Sequence, residues 1–348
     1  MFDLIAEYSF MAHIYVKIII YMSLIFFLQF YGKEKKRIKI IRWLSVLLVI
    51  IISYEFSQRD YYIGTDTENY RYIYNYIGTD IKRVLGERDI FFYLYIHALS
   101  YITDFRGFLF ITSCLYMGLP LIATNILYKK DFYLFFILFL ISPYFIIFGI
   151  NGLRNGLAAS ILIFSFAWYV KSEKKSMVLS VISCLVHTSM LLPAFVFWII
   201  RDRISSKKVF IIWLLVFLFS LVGMSFIPYL HFFVSDGYLI RTSNTSGFRD
   251  FLIYGLPILL AGLYFAIRNN QDVFYTRILN TYIMGSMLQV VTMNFPFGVR
   301  FAYLAGFLMP IVAFMGFYKN IKRNTRILLL LCLYGVFVIK AYKILFYY

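Results

Sequence analysis

The chain reads as an all-α, polytopic integral membrane protein of about 10–12 transmembrane helices, built on apolar runs of the ~20 residues that a bilayer crossing needs. Three observations predict this. Of its 348 residues 62% are hydrophobic and only 15% charged, at a mean hydropathy of +0.78. The apolar residues come in long uninterrupted runs. The charges between those runs are mostly basic, as in loops sorted by the positive-inside rule.

The candidate spans lie near 12–31, 40–56, 106–127, 131–149, 155–170, 207–230, 251–267, 274–293, 301–318 and 327–346. The first follows an acidic start (Asp3, Glu7), without a basic segment before it or a small-residue cleavage site after it. It therefore reads as an uncleaved span rather than a signal peptide. Two further segments are ambiguous: 90–103 is short and aromatic, and 176–200 holds His187 and Pro193 in its middle.

Loop charges arrange these pieces. The loop 32–42 carries Lys33, Lys35, Lys36, Arg37, Lys39 and Arg42 and belongs inside. If 90–103 does not cross and 176–200 enters and returns as a broken or re-entrant hairpin, the basic groups around 129–130, 171–175, 201–208, 268 and 319–326 also fall inside. The loops 57–89 and 231–250 then face outward, as do Arg154 and Arg300. A single crossing by 176–200 would send 201–208 and 319–326 outward. In the hairpin arrangement Lys340 and Lys343 dissent, lying at the outer end of the last span. A broken helix survives at membrane depth only where it is buried or lines a wet cavity. No stretch is long enough for a soluble domain, so 1–348 reads as one transmembrane domain with two external loops. One short echo, Tyr62-Ile63-Gly64-Thr65-Asp66 and Tyr76-Ile77-Gly78-Thr79-Asp80, is the extent of the internal repetition.

The net charge of +17 is accounted for by those inner loops, and no basic stripe interleaved with aromatics points to nucleic acid. Cys114, Cys184 and Cys332 sit in apolar segments without ligand spacing, so neither disulfide nor metal is expected. There is no phosphate-binding glycine loop, dinucleotide pattern, H-E-x-x-H or C-x-x-C. The expectation is chemistry without nucleotide, metal or redox cofactor.

The strongest functional signal is Arg154, in Asn151-Gly152-Leu153-Arg154-Asn155-Gly156, between the uncharged runs 132–150 and 157–170. A cation at a helix centre in the bilayer costs roughly 2.5–3.5 kcal/mol on insertion scales, which makes such residues functional candidates; the plainer account is a snorkelling side chain. Guanidinium groups bind phosphate oxygens bidentately and stay charged when desolvated, and the start of a helix favours a bound anion. Arg300, in Asn294-Phe295-Pro296-Phe297-Gly298-Val299-Arg300, also begins a span. Arg241 and Arg249 lie in the second external loop, where solvated loop charges are the alternative. Gly152 and Gly156 form a G-x-x-x-G pair that permits close helix approach. His187, beside the break in 176–200, can move a proton near neutral pH; a histidine hydrogen-bonded between helices is the competing account. His13, His97 and His231 lack such context. Asp66, in a Gly-Thr-Asp turn, could aim a carboxylate at the outer mouth, with Asp80 and Glu87 as rivals and a solvated turn as the bland reading.

The order Gly64-Thr65-Asp66 with Tyr70, Glu87 before an aromatic run, Asn151-Gly152-Leu153-Arg154-Asn155-Gly156-Leu157-Ala158, His187-Thr188-Ser189 and finally Arg300 resembles the EpsG-type branch of the Wzy polysaccharide polymerases over roughly 55–305. Asn155 stands where that family often has Gln. The resemblance implies a glycosyltransferase at the outer face of the bacterial cytoplasmic membrane. It would join undecaprenyl-pyrophosphate-linked repeat units into O-antigen, capsule or exopolysaccharide, alongside a flippase and a chain-length regulator of the same pathway. Arg154 and Arg300, with Arg241 and Arg249, would hold pyrophosphate. His187 or Asp66 would be the base, and Asn151, Asn155, Tyr70 and Glu87 would support. A lipid-linked-oligosaccharide flippase also needs cations in a membrane cavity, though spread along spans in two similar halves. A ligase shares the donor. An acyltransferase would show Asp or Asn near His187. A purely structural membrane protein is the remaining alternative.

Overall fold

The computed structural model describes residues 2–30, 33–78, 80–84, 89–200, 204–222, 251–268, 272–291, 298–318 and a few positions between 328 and 335. The described residues hold helices and no strands. The protein is an all-α polytopic membrane protein. Four described helices are long and apolar enough to cross a bilayer: Glu7–Gln29, Glu34–Gln58, Phe105–Tyr128 and Phe251–Arg268. A fifth span would be the bent pair Phe132–Ile141 and Pro143–Ile150. The chain forms two compact units, residues 1–188 with 321–348, and residues 189–320.

The first unit contains α1 (Phe2–Gln29), α2 (Glu34–Gln58), α3 (Thr67–Gly78), α4 (Ile90–Ser100), α5 (Phe105–Tyr128), α6 (Phe132–Ile141), α7 (Pro143–Ile150), α8 (Leu153–Tyr169) and α9 (Glu173–Val186). Its centre is α8, packed between α5 and α9. The sequence reading of 131–149 as one span changes here: α6 and α7 meet at 70°. Pro143 lacks the N–H an unbroken helix would need and forces the preceding residue out of helical geometry. Ser142 accordingly has ψ 133°, and its hydroxyl accepts the Tyr144 N–H as the cap of α7. The ambiguous segment 90–103 is α4, 11 residues and so only about 16 Å long, too short to cross a hydrocarbon core of about 30 Å.

Polar stripes join α8 to α9. Ser165 Oγ bonds Ser180 Oγ at 2.7 Å and the Ser176 carbonyl at 2.6 Å, and Ser183 Oγ donates to the Ala158 carbonyl at 2.7 Å. Small hydroxyl residues let helix backbones approach where lipid supplies no hydrophobic drive between them. At the start of α8 the glycine pair does what its spacing predicts. A Cβ on Gly156 would lie 2.9 Å from Phe148 Cβ and 3.0 Å from its carbonyl oxygen, and one on Gly152 would lie 3.3 Å from Phe148 Cδ1. Both glycines thus admit α7 against α8.

The described residues between α2 and α4 include the helix α3. In α3 the buried residues Thr67, Tyr70, Tyr74 and Ile77 recur every three or four positions, the stripe of an amphipathic helix. That stripe packs on α4, with Tyr74 Oη donating to the Thr103 carbonyl at 2.6 Å. The two copies of the sequence echo diverge in structure. Gly64, at φ 83°, takes a left-handed turn open to glycine and lies against Ile150 and Asn151. Gly78 ends α3, where its carbonyl accepts Ser100 Oγ at 3.4 Å, and Asp80 caps the following 3-10 turn through the Lys82 N–H.

The second unit contains α10 (Leu191–Phe195), a π-helical turn Val196–Ile200, α11 (Ser206–Val222), α12 (Leu256–Arg268), α13 (Val273–Val291), α14 (Gly298–Gly306) and α15 (Met309–Tyr318). Here α13 is central, packed on α11, α12, α14 and α15. The predicted break within 176–200 is present: α9 ends at Val186, His187 is extended at φ −154°, ψ 121°, and a 3-10 turn over Thr188–Met190 precedes α10.

Candidate functional site

Three side chains from three separate parts of the first unit converge at the start of α8. Asp89 Oδ2 accepts from Arg154 Nη1 at 2.9 Å and from His187 Nδ1 at 2.9 Å, while Asp89 Oδ1 accepts the Thr188 backbone N–H, also at 2.9 Å. Arg154 Nη1 further donates to Tyr93 Oη at 3.2 Å, and the Arg154 Cζ lies 5.9 Å from that ring's centroid.

Local folding explains each position. From Ser176 to Ser183 to His187 the steps along α9 are seven and four residues. From Ser165 to Ala158 to Arg154 the same steps run backward along α8. The serine contacts fix this antiparallel register, and its next level brings residue 187 to residue 154. His187 is the residue that ends α9, held by its N–H on the Ser183 carbonyl. Asp89 is the residue before α4, a position where aspartate usually caps its own helix. Its carboxylate makes no such cap and turns to His187 and Arg154 instead. Tyr93, one turn along α4, adds its hydroxyl on the same face.

The Asp89 side chain is 5% exposed, against 20% for His187 and 32% for Arg154. Burial pushes its carboxyl pKa up. The hydrogen bonds from His187 and Thr188, with the charges of His187 and Arg154, outweigh that effect and hold it below the usual carboxylate range. A group depressed in the folded state stabilises it above the unfolded pKa and loses that contribution as pH falls through the folded value. The thermal midpoint of the wild type is therefore expected to drop toward that of Asp89→Asn as pH is lowered from 6 to about 3, through the ordinary carboxylate range. A gap between the two proteins that stayed constant over this range would refute the ionic role.

Polar groups remain for a ligand. Neither Arg154 Nε and Nη2 nor His187 Nε2 hydrogen-bonds a described residue, leaving one edge of the guanidinium and the outer imidazole nitrogen. Arg154 is the second residue of α8, whose first-turn N–H groups have no partner within the helix. Its own N–H faces Tyr70 Oη at 3.5 Å. Tyr70 is buried, and burial pushes its phenol pKa up to about 12, so it stays protonated.

Arg59 holds this corner together. It is 3% exposed. Nε donates to Thr67 Oγ1 at 3.1 Å, Nη1 to the carbonyls of Phe56 at 2.8 Å and Gly149 at 3.4 Å, and Nη2 to that of Ile150 at 3.3 Å. The last two are terminal carbonyls of α7 that lack helical partners, at the negative end of its dipole.

Of the residues singled out by sequence, Arg154, His187 and Tyr70 come together. Asn151 Oδ1 is buried beside Gly64, and Asn155 follows Arg154 in the first turn of α8. Asp66 accepts from Thr65 Oγ1 at 3.3 Å, near enough to Tyr70 to help raise its pKa, while the carboxylate on His187 is Asp89. Arg300 is in the first turn of α14, with its side chain outside the described residues. Glu87, Arg241 and Arg249 lie outside the described residues altogether. Asp89, Tyr93 and Arg59 went unselected in the sequence. Among the described residues no three His, Cys, Asp or Glu side chains form a metal-ligand group.

The sequence model of the EpsG family matches residues 42–348. No curated protein and no solved structure matches the chain.

Proposed function

The chain belongs to the EpsG family, a Wzy-type polymerase family, and on that premise we propose that it is a membrane glycosyltransferase. In this reading it polymerises undecaprenyl-pyrophosphate-linked repeat units at the outer face of the bacterial cytoplasmic membrane, without metal or nucleotide. The observation that supports this most is the single oxygen of Asp89 shared by His187 and Arg154. It ties a proton acceptor to an anion-binding group.

The reaction needs both. The acceptor sugar's hydroxyl gives its proton to His187 Nε2 as its oxygen bonds to the donor's anomeric carbon. The bond from that carbon to the pyrophosphate oxygen breaks, and the electron pair leaves with undecaprenyl pyrophosphate. Asp89 fixes the imidazole with Nδ1–H inward and Nε2 outward, and stabilises the imidazolium that forms. The free edge of Arg154 and the first-turn N–H groups of α8 take the charge that develops on the leaving pyrophosphate. Arg300 is assigned the second guanidinium, with Arg241 and Arg249 as outer contacts. Asp66 becomes an acceptor-sugar contact, and Tyr70, Asn151, Asn155 and Glu87 stay in support. The energy comes from the pyrophosphate linkage, so no nucleotide is consumed.

Arg154→Gln, expressed at the wild-type level, tests the anion role. Losing a charge-assisted contact of about 1.5–3 kcal/mol is expected to raise the donor KM about 10- to 100-fold, and to leave single repeat units on the lipid carrier in gel analysis. A wild-type polymer ladder with unchanged donor KM would overturn the assignment.

A further inference from the structure

The groove between the far ends of α8 and α9 has no part in that reaction. Phe164, Trp168, Val178 and Leu179, with Lys174 and Lys175, line a cavity of about 430 Å³. Lys171 Nζ and Lys175 Nζ lie 5.1 and 5.3 Å from the Trp168 ring centroid, within cation–π range. Glu173 is the one acidic residue among positions 171–175, against three lysines. Val178 in its wall is 59% exposed, and Met177 and Val181, also on α9, are 55 and 52% exposed. In a membrane protein such a face is covered by acyl chains. Tryptophan with lysines is also the composition of the membrane–water interface.

An apolar wall under a cationic rim complements an amphiphile with a negative head. We propose that this groove binds one anionic phospholipid. Its phosphate sits among Lys171, Lys174 and Lys175, and an acyl chain lies along Phe164, Val178 and Leu179. A zwitterionic lipid brings its own ammonium to the lysines and gains less, and a soluble anion leaves the wall uncovered. Trp168 is fourteen residues along α8 from Arg154, about 21 Å by helical rise. The groove therefore serves the leaflet opposite Arg154.

Tryptophan quenching tests this in the full chain. The chain has four tryptophans, and W43F/W198F/W213F leaves Trp168 as the fluorophore. In phosphatidylcholine nanodiscs, brominated phosphatidylglycerol is expected to quench at about fivefold lower mole fraction than brominated phosphatidylcholine, and K171Q/K174Q/K175Q is expected to remove the difference. Native mass spectrometry on the protein with all its tryptophans gives a second reading. One phosphatidylglycerol should stay bound to the wild type and be lost from the triple glutamine variant. Equal quenching by the two lipids, retention unaffected by the glutamines, or displacement by equimolar undecaprenyl phosphate would overturn the proposal.

Discussion

Asp89→Asn and His187→Ala are each expected to slow repeat-unit transfer by on the order of 10²–10⁴-fold, the range for losing a general base or the carboxylate that orients one. The double mutant is expected to be no slower than the worse single mutant. The asparagine side chain keeps the size of the aspartate and loses its charge, so it cannot stabilise an imidazolium. Its amide can also donate to Nδ1, which would turn the proton-bearing nitrogen outward and leave no acceptor for the sugar hydroxyl. With His187 gone, Asp89 has no base to orient, which makes the two losses overlap. Single-turnover assays on purified protein with lipid-linked repeat units would measure this, with expression matched. Multiplicative losses in the double mutant would show that the residues act independently and would sink the relay. A normal rate in Asp89→Asn would do the same, because Asp89 Oδ2 is the atom through which His187 and Arg154 are joined.

The all-α membrane class follows from hydropathy, and the two most informative site residues were legible as a cation and a histidine beside breaks in apolar runs. Their meeting was also written in the chain, in the matching steps of seven and four residues along two helices joined by a short turn. Reading it required knowing that α8 and α9 pack as neighbours along their serines. Asp89 stayed hidden because an acidic residue before an aromatic helix reads as an ordinary cap. The usable signal was Tyr93, four residues on, which puts a hydroxyl on the same helix face. The bend at Ser142-Pro143 escaped a hydropathy reading because a window average does not register a missing N–H. Arg59, at the end of α2, has the look of an interfacial charge whose head reaches water. Nothing in the pattern of one helix reveals that its head is turned inward to the carbonyls of another, about ninety residues away in sequence.

That inward turn makes Arg59 the residue whose loss should most weaken the fold of the first unit. Arg59→Met keeps most of the stem and removes every donor. The carbonyls of Gly149 and Ile150 then lose their guanidinium partner at the end of α7, and Thr67 loses its donor at the start of α3. With buried bonds from a charged donor worth about 1.5–3 kcal/mol each, and such effects not additive, a destabilisation of about 3 kcal/mol or more is expected, and a thermal midpoint lower by roughly 10 °C. Arg59→Lys should recover only part of this, since a compact ammonium cannot fork between Thr67 and two carbonyls. The damage should also reach the site, because the Gly64 turn that Arg59 steadies through Thr67 lies against Asn151, just before α8. Size-exclusion melting curves in detergent would measure the first effect and the donor KM the second. A midpoint for Arg59→Met within about 2 °C of wild type would mean that the α7–α3 corner is held by apolar packing alone, and that Arg59 is a passenger in it.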